Sequence, residues 1–341
     1  MAETHMRREI AEIPEATARL LDQSGAALTD AGAELRALDP RFVTTVARGS
    51  SDHAAAFLKY AIELTAGVPV ASLGPSIASI YGAKLKLAQS ASIAISQSGK
   101  SPDIVAMAKA ARDGGALTIA ITNTAGSPLA AGSNHAIDIR SGVEKSVAAT
   151  KTFVASAVAG LAILGEWTGD KALLTALGQL PAHFAKAIAC DWMDIADALP
   201  RHNSLFILGR GPSAAIANEA ALKFKETCGM HAEAYSAAEV MHGPLALVKQ
   251  GFPVLALAAR DKSEPSMAET ADALADKGAA VFITSNAARN GTRLPFAATG
   301  HPLTDPLALI VSFYAFVEAF ARQRGLNPDE PHNLRKVTET L

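Results

Sequence analysis

The sequence is short of several things, and each scarcity excludes something. Cysteine occurs twice in 341 residues, at Cys190 and Cys228, too few for a disulfide framework. That usage suits a reducing compartment, so a cytoplasmic location is expected. Neither sign of charge dominates: 31 Lys and Arg stand against 33 Asp and Glu, a formal net charge of -2. A polyanion-binding surface needs a basic excess, so no nucleic-acid partner is expected. The nine histidines are scattered without metal-ligand spacing, and no metal is expected. The start, Met1-Ala2-Glu3-Thr4-His5, has no apolar signal core. Long hydrophobic runs are missing too. The longest uncharged stretches, Thr152 to Gly165 and Pro306 to Val317, cover 14 and 12 residues. A membrane span needs about 20, so both read as helices buried against a sheet, and no membrane partner is expected. What is abundant is core material: 49% of residues are hydrophobic and 19% charged. That composition argues against disorder, and the length suits two domains of ordinary size.

The chain repeats itself. Val46-Ala47-Arg48-Gly49-Ser50-Ser51 reads as a strand end turning into a helix, and so does Leu208-Gly209-Arg210-Gly211-Pro212-Ser213. Gly49 and Gly211 lie 162 residues apart. The same offset pairs Ile95 with Leu257, and Ile119-Ala120-Ile121-Thr122 with Val281-Phe282-Ile283-Thr284. A period this long means duplication of a domain, not a solenoid repeat. In the first copy, strands are expected at Phe42 to Ala47, Val68 to Ser72, Ser92 to Ser96, Leu117 to Asn123 and Ala136 to Ile139. Helices are expected at Asp52 to Ala66, Ser76 to Lys86 and Pro102 to Asp113. Apolar runs without alternation, separated by helices, predict a doubly wound α/β parallel sheet covered on both faces. Helices are also expected over Thr152 to Trp167 and Pro181 to Leu199. The expected organisation is a helical segment at 1–40, domains at 41–180 and 198–328, and a tail at 329–341.

The copies differ where such sheets bind ligands, at the carboxyl ends of strands. The first copy has Ser96-Gln97-Ser98-Gly99-Lys100-Ser101-Pro102, rich in hydroxyls and backbone amides just before a helix. With Gly49-Ser50-Ser51 at another strand end, this points to an anion site; the bland alternative is a solvated loop with a helix cap. The second copy has Ala258-Ala259-Arg260-Asp261 instead, where Asp261 would repel phosphate. One phosphate site per chain is therefore expected. The second copy carries Glu219, Lys223 and Glu226 on one helix face, followed by His231 to Tyr235 and by Glu239-Val240-Met241-His242-Gly243-Pro244. This is either a surface ion-pair ladder of little energetic value or a buried functional cluster. His242 alone reads equally as a satisfied histidine. Gly209 to Ala214 imitates a dinucleotide fingerprint, but its sister loop lacks the first glycine, so an oxidoreductase is disfavoured.

At these residues the sequence resembles the sugar isomerase (SIS) family, in particular the isomerase half of glucosamine-6-phosphate synthase. The resemblance runs from about Phe42 to the C-terminus. Its motifs are Ser96 to Gly99, Val147-Ala148-Ala149-Thr150-Lys151-Thr152-Phe153, Ala221 to Glu226, His231 to Tyr235, Glu239 to Leu247 and Asn333-Leu334-Arg335-Lys336. It implies two tandem SIS domains, each a five-stranded parallel sheet flanked by helices, usually in a homodimer. It implies that Gly49, Ser50, Ser51, Ser96, Gln97, Ser98 and Ser101 hold the phosphate of a sugar-phosphate substrate. Val147 and Ala149 would line the sugar. Glu226 would move a proton between carbons 1 and 2, Lys223 would support it, and His242 would open the ring, in its own or the neighbouring subunit. Lys336 would sit over the open-chain sugar, where the synthase can form an imine.

Two positions depart from the family pattern: Arg48 replaces a cysteine, and Ala149 replaces a serine. Position 2 is Ala2 and not a nucleophilic cysteine, so a glutaminase half is not expected. The tail Asp329 to Thr338 resembles SIS-type glucosamine-6-phosphate deaminases. The implied reaction turns glucosamine 6-phosphate and water into fructose 6-phosphate and ammonia, without redox change, so no cofactor is expected. Alternatives within the family take galactosamine 6-phosphate, or split fructosamine 6-phosphate as a deglycase. An alternative outside catalysis is a sugar-phosphate sensor. Regulators of that kind usually carry a helix-turn-helix segment, for which Met1 to Pro40 is too short and insufficiently basic.

Overall fold

A computed structural model describes residues 3–199, 203–334 and 336. In chain order its elements begin with α1 (His5–Ala11), α2 (Ile13–Gln23), α3 (Gly25–Leu38), β1 (Phe42–Val46), α4 (Ser50–Thr65), β2 (Val70–Ser72), α5 (Ser76–Ser79) and β3 (Ser90–Ile95). They continue with α6 (Pro102–Asp113), β4 (Leu117–Thr122), α7 (Pro128–Ala131), β5 (His135–Asp138), α8 (Lys151–Thr168), α9 (Lys171–Ile188) and α10 (Asp194–Ala198). The rest are β6 (Ser204–Gly209), α11 (Pro212–Cys228), β7 (His231–Ser236), β8 (Pro253–Ala256), α12 (Glu264–Asp276), β9 (Ala280–Ile283), β10 (Thr292–Arg293) and α13 (Asp305–Gln323). No described helix is long and apolar enough to cross a membrane.

The chain forms two compact units that interleave along the sequence. The first comprises Ile13–Glu144 and Lys151–Gly178, the second residues 3–12, Lys145–Thr150 and Gln179–Lys336. Each holds one five-stranded sheet, in the orders β2-β1-β3-β4-β5 and β10-β9-β8-β6-β7. Every pairing is parallel. Read from the other edge, the second order repeats the first, so the duplication inferred from the 162-residue offset is a duplication of topology. The order is that of a doubly wound sheet, with its switch point between the first and third strands of each unit.

Burial explains the strand sequences. All six residues of β3 and all six of β4 are buried, as expected when helices cover both faces. The first unit's core helix is α8, buried along nearly its whole length. Its entry is capped by Glu144, which accepts from Thr152 N at 3.2 Å and Thr152 Oγ1 at 2.7 Å. The second unit's equivalent is α13, also buried along most of its length. The two uncharged stretches read as buried helices are these two.

Two expected helices differ. Ser76 to Lys86 is helical only over Ser76–Ser79; Gly82 then takes φ +58°, which helix cannot accommodate, and the chain runs irregularly to β3. Pro181 to Leu199 is not one helix. Helix α9 starts earlier, where Asp170 Oδ1 accepts the amides of Ala172 and Leu173 at 3.0 Å, and it contains Pro181 in its interior. It stops at Ile188, and Asp191 then caps a new start by accepting Met193 N at 2.9 Å.

Helix α3 lies directly on α8. A methyl group at Gly32 would come within 2.4 Å of Glu166 Cβ and 2.9 Å of Trp167 N. Arg36 Nε holds the same helix end by donating to Trp167 O at 2.9 Å. Gly32→Ala is expected to destabilise the protein by about 1–3 kcal/mol, as overpacking does. Chemical denaturation would measure it; an unchanged midpoint would show that the two helices can separate at little cost.

Candidate active site

In the first unit the loops after β1 and β3 form the hydroxyl-rich surface that the sequence marks. Ser50 and Ser51 open the 16-residue helix α4, behind Gly49 at φ +54°. Ser96 is buried, and Gln97, Ser98 and Ser101 are half-buried. The turn is fixed from within: Gly99 N donates to Ser96 Oγ at 3.2 Å, and Asn123 N donates to Gln97 O at 3.1 Å. Leu129 N donates to Gly99 O at 3.1 Å. Gly99 has φ +61°, and a methyl group there would lie 2.2 Å from Ser127 Oγ, so only glycine fits. The loop then enters α6 through Pro102.

Arg48 acquires a role from this geometry. It pairs with the fully buried Asp103 of α6, through Nε at 3.1 Å and Nη2 at 3.0 Å. The loop after β1 is thereby tied to the start of α6, and the two serine-bearing loops are held together. The resemblance marked Arg48 only as a departure; the reason for an arginine becomes visible once Asp103 is seen facing it.

The second unit shows why its sister loop is unsuited to an anion. Arg260 stands 162 residues after Ser98, and its side chain folds back over the strand ends. Its Nη1 donates to Thr284 O at 2.7 Å, its Nη2 to Ala258 O, and its Nε lies 2.9 Å from Asp305. The guanidinium carbon sits 3.8 Å from the centroid of Phe296. From sequence, Asp261 is the group expected to repel phosphate. In the structure the chain's own cation occupies the place, and Asp261 instead accepts from Ser263 N at 2.7 Å.

On α11 the surface-ladder alternative fails. The side chains of Glu219 and Lys223 are 0% exposed, and that of Glu226 is 18% exposed. Lys223 Nζ lies 3.3 Å from Glu219 Oε1 and donates a close hydrogen bond to Glu226 Oε2. Burial works against the ammonium charge, but the two carboxylates outweigh it and hold the lysine above its usual range. Tyr314 of α13, fully buried, donates to Glu219 at 3.0 Å. Tyr314 carries no motif signal, because only the packing of α13 on α11 brings it there. The result is a line of groups, Tyr314–Glu219–Lys223–Glu226, closed at one end and reaching half-buried surface at the other.

The second unit also holds Val147, Ala149 and Lys336. Val147 and Ala149 are half-buried, and Lys336 Nζ donates to Ser146 O at 2.6 Å. His242 is exposed between two single-turn 3-10 helices, Glu239–Met241 and Gly243–Leu247. Among the described residues no hydrogen bond or ion pair joins it to the α11 cluster. The motif His231 to Tyr235 lies within the edge strand β7, where Tyr235 is pushed up to about 12 by its contact with Glu233. Among the described residues no cluster of His, Cys, Asp and Glu would hold a metal ion.

Two parallel sheets of one topology, one of them bearing a serine-rich glycine turn, define a tandem doubly wound α/β protein. The chain belongs to the SIS domain family, whose model matches residues 39–164 and 198–317. It is 34% identical to the glutamine–fructose-6-phosphate aminotransferase (isomerizing) of Symbiobacterium thermophilum, over 97% of this chain and 58% of that protein. The chain thus spans little more than half of that relative. Among solved structures, a protein from Silicibacter pomeroyi DSS-3 assigned as a phosphosugar isomerase is 57% identical, with a TM-score of 0.94 over 96% of this chain and 100% of that one. The C-terminal domain of glucosamine-fructose-6-phosphate aminotransferase from Francisella tularensis is 25% identical, with a TM-score of 0.82 over 96% of this chain and 98% of that one.

Removing Lys223 would strand two carboxylates. Lys223→Met is expected to cost about 3–5 kcal/mol at neutral pH, the usual penalty for breaking a buried pair. The loss should shrink toward pH 4. Without the lysine, burial raises the folded-state affinity of Glu219 for a proton above the unfolded value, so the penalty exists above that value and fades as pH falls. In the unmutated protein the Lys223 contribution has the opposite sign. It is complete below the unfolded value of 10.5 and is lost as pH rises through the higher folded value. Denaturation curves at several pH values would test both; a loss that does not vary with pH contradicts the stranded carboxylate.

Proposed function

We propose that this chain is a phosphosugar isomerase acting as a glucosamine-6-phosphate deaminase, converting glucosamine 6-phosphate and water into fructose 6-phosphate and ammonia. The observation that carries the reading is Glu226. It is the accessible end of an otherwise buried charge relay, a carboxylate held by a fully buried lysine. Such a group is held in one place beside a cation, as a base that serves two adjacent carbons must be.

Each residue has a definite task in this reading. Gly49, Ser50, Ser51, Ser96, Gln97, Ser98 and Ser101 bind the phosphate and supply positioning energy remote from the chemistry. His242 opens the ring, from its own or a neighbouring subunit of a homodimer. Glu226 takes the proton from carbon 2 and returns it to carbon 1, leaving a ketimine at carbon 2. Water adds to carbon 2, ammonia departs, and the ketose remains. Val147 and Ala149 line the sugar, and Lys336 stabilises the developing oxyanion or acts through an imine. The names of the relatives favour the same carbon chemistry in the ammonia-consuming direction as a second reading.

The deciding experiment incubates the pure protein with glucosamine 6-phosphate and measures both ketose phosphate and ammonia, then runs fructose 6-phosphate with ammonium. Galactosamine 6-phosphate and fructosamine 6-phosphate in parallel set the specificity. Binding of a sugar phosphate with no product in either direction would replace the enzyme by a sensor. Glu226→Gln is expected to cut turnover by ~100-fold or more while substrate affinity holds, as loss of a general base does. Undiminished turnover would remove Glu226 from the reaction.

A further inference from the structure

Glu9, on the first helix, is a buried carboxylate that the proposed mechanism does not use. It is 4% exposed. Its Oε1 accepts Lys145 N in a short hydrogen bond, and its two oxygens lie 3.4 and 3.3 Å from Ser146 N. A carboxylate that takes successive backbone amides fixes the backbone between them. The next carbonyl along that backbone, Ser146 O, accepts Lys336 Nζ at 2.6 Å. The amide of the same peptide unit, Val147 N, donates to Asp329 O at 3.4 Å.

Asp329 closes the circuit. Its carboxylate accepts His5 N at 2.7 Å and Met6 N at 2.8 Å, which anchors the start of α1. Helix α1 is also seated by Met6 and Ile10, both 0% exposed, and by Thr4 Oγ1 donating to Glu318 at 2.7 Å. The hydrogen bonds run in a ring within the second unit: Asp329 to α1, Glu9 to the 145–146 amides, Ser146 O to Lys336, and back along the chain to Asp329.

We propose that Glu9 is a positioning residue for Lys336, acting through the Lys145–Val147 backbone, so that the N-terminal helix sets where the lysine near the C-terminus stands. The proposal rests on the reading of Lys336 as a reacting group, but its geometry can be tested apart from turnover. A lysine side chain has many rotamers, and one anchor near a chain end does not choose among them. A carbonyl fixed on both flanks does, and a displacement of about 1 Å at a reacting group can cost ~100-fold in rate.

The test labels all amines competitively with trace acetic anhydride and follows the Lys336 peptide by mass spectrometry, with exposed Lys100 as the internal reference. In Glu9→Gln, labelling of Lys336 relative to Lys100 should rise by ~5-fold or more, as expected when a charge-assisted hydrogen bond is loosened. With glucosamine 6-phosphate, kcat should fall ~10-fold or more while KM stays within a factor of about two, because positioning and not substrate affinity is lost. Should Glu9→Gln not fold, Asp329→Asn interrupts the ring at its other carboxylate and must give the same rise at Lys336. Unchanged labelling of Lys336 in a folded variant overturns the proposal. Wild-type protein that turns over no amino-hexose phosphate would sink the functional reading alone, since the labelling result stands without it.

Discussion

A positive charge with no access to water is the constraint around which the second unit is built. Lys223 is fully buried, and such a charge persists only where carboxylates and hydrogen bonds replace its hydration. Glu219 and Glu226 do this from the same helix, at the i,i+4 and i,i+3 spacings that place them alongside. Glu219 is buried in turn and needs a donor of its own. Tyr314 supplies it, which requires α13 to lie against α11. The apolar side of that contact is aromatic: Phe224 stands 5.3 Å from Phe313, 6.1 Å from Phe316 and 6.4 Å from Phe320, centroid to centroid. Core packing and charge relay thus share one interface. Anything that shifts the helices changes the carboxylate at the accessible end.

The two sheets show how a duplicated fold divides its labour. Both copies keep the glycine of positive φ behind the first helix, Gly49 and Gly211. They part at the loop after the central strand. In the first unit a glycine turn carries serines there, Ser96 buried and Ser98 and Ser101 half-buried. In the second, Arg260 bonds to the strand-end carbonyls and stacks on Phe296. A side chain that fills the place donates to both Ala258 O and Thr284 O, giving each carbonyl a partner. The same side chain that fills the loop therefore also ties it to the neighbouring strand ends.

The fold was legible because one offset holds from β1 and β6 as far as β4 and β9, and because β3 and β4 are apolar without alternation, as strands covered on both faces are. Motif residues were legible when they clustered in sequence: the loop 96–101, and Glu219, Lys223 and Glu226. Residues whose partners lie far along the chain were not. Glu9 meets Ser146 across 137 positions, and Tyr314 meets Glu219 across 95. A lone glutamate on an early helix looks like any solvated charge, and a tyrosine in an apolar run looks like core. The two misjudged helices have local causes. Gly82 ends one element that composition would extend, and Pro181 falls inside a helix whose start is set by Asp170.

A wider pattern lies behind Glu9. Helix starts and loops of this molecule are held by side-chain carboxylates that accept backbone amides: Asp329 at His5 and Met6, Glu144 at Thr152, Asp305 at Thr299 and Arg260, and Asp272 at Arg289 and Asn290. An amide in a loop or in the first turn of a helix has no backbone partner of its own, so a carboxylate both satisfies it and fixes its direction. Asp272 shows the energetic consequence. Burial would raise its affinity for a proton, but the amides of Asn290 and Arg289, with the Arg289 guanidinium, lower it below the usual carboxylate value. A carboxyl depressed in the folded state stabilises above its unfolded value and loses that contribution as pH falls through the folded one. Acid therefore acts on the loop at Arg289 and Asn290 through the carboxylate that holds it. Backbone direction in these segments thus depends on carboxylates that lie outside the sheets.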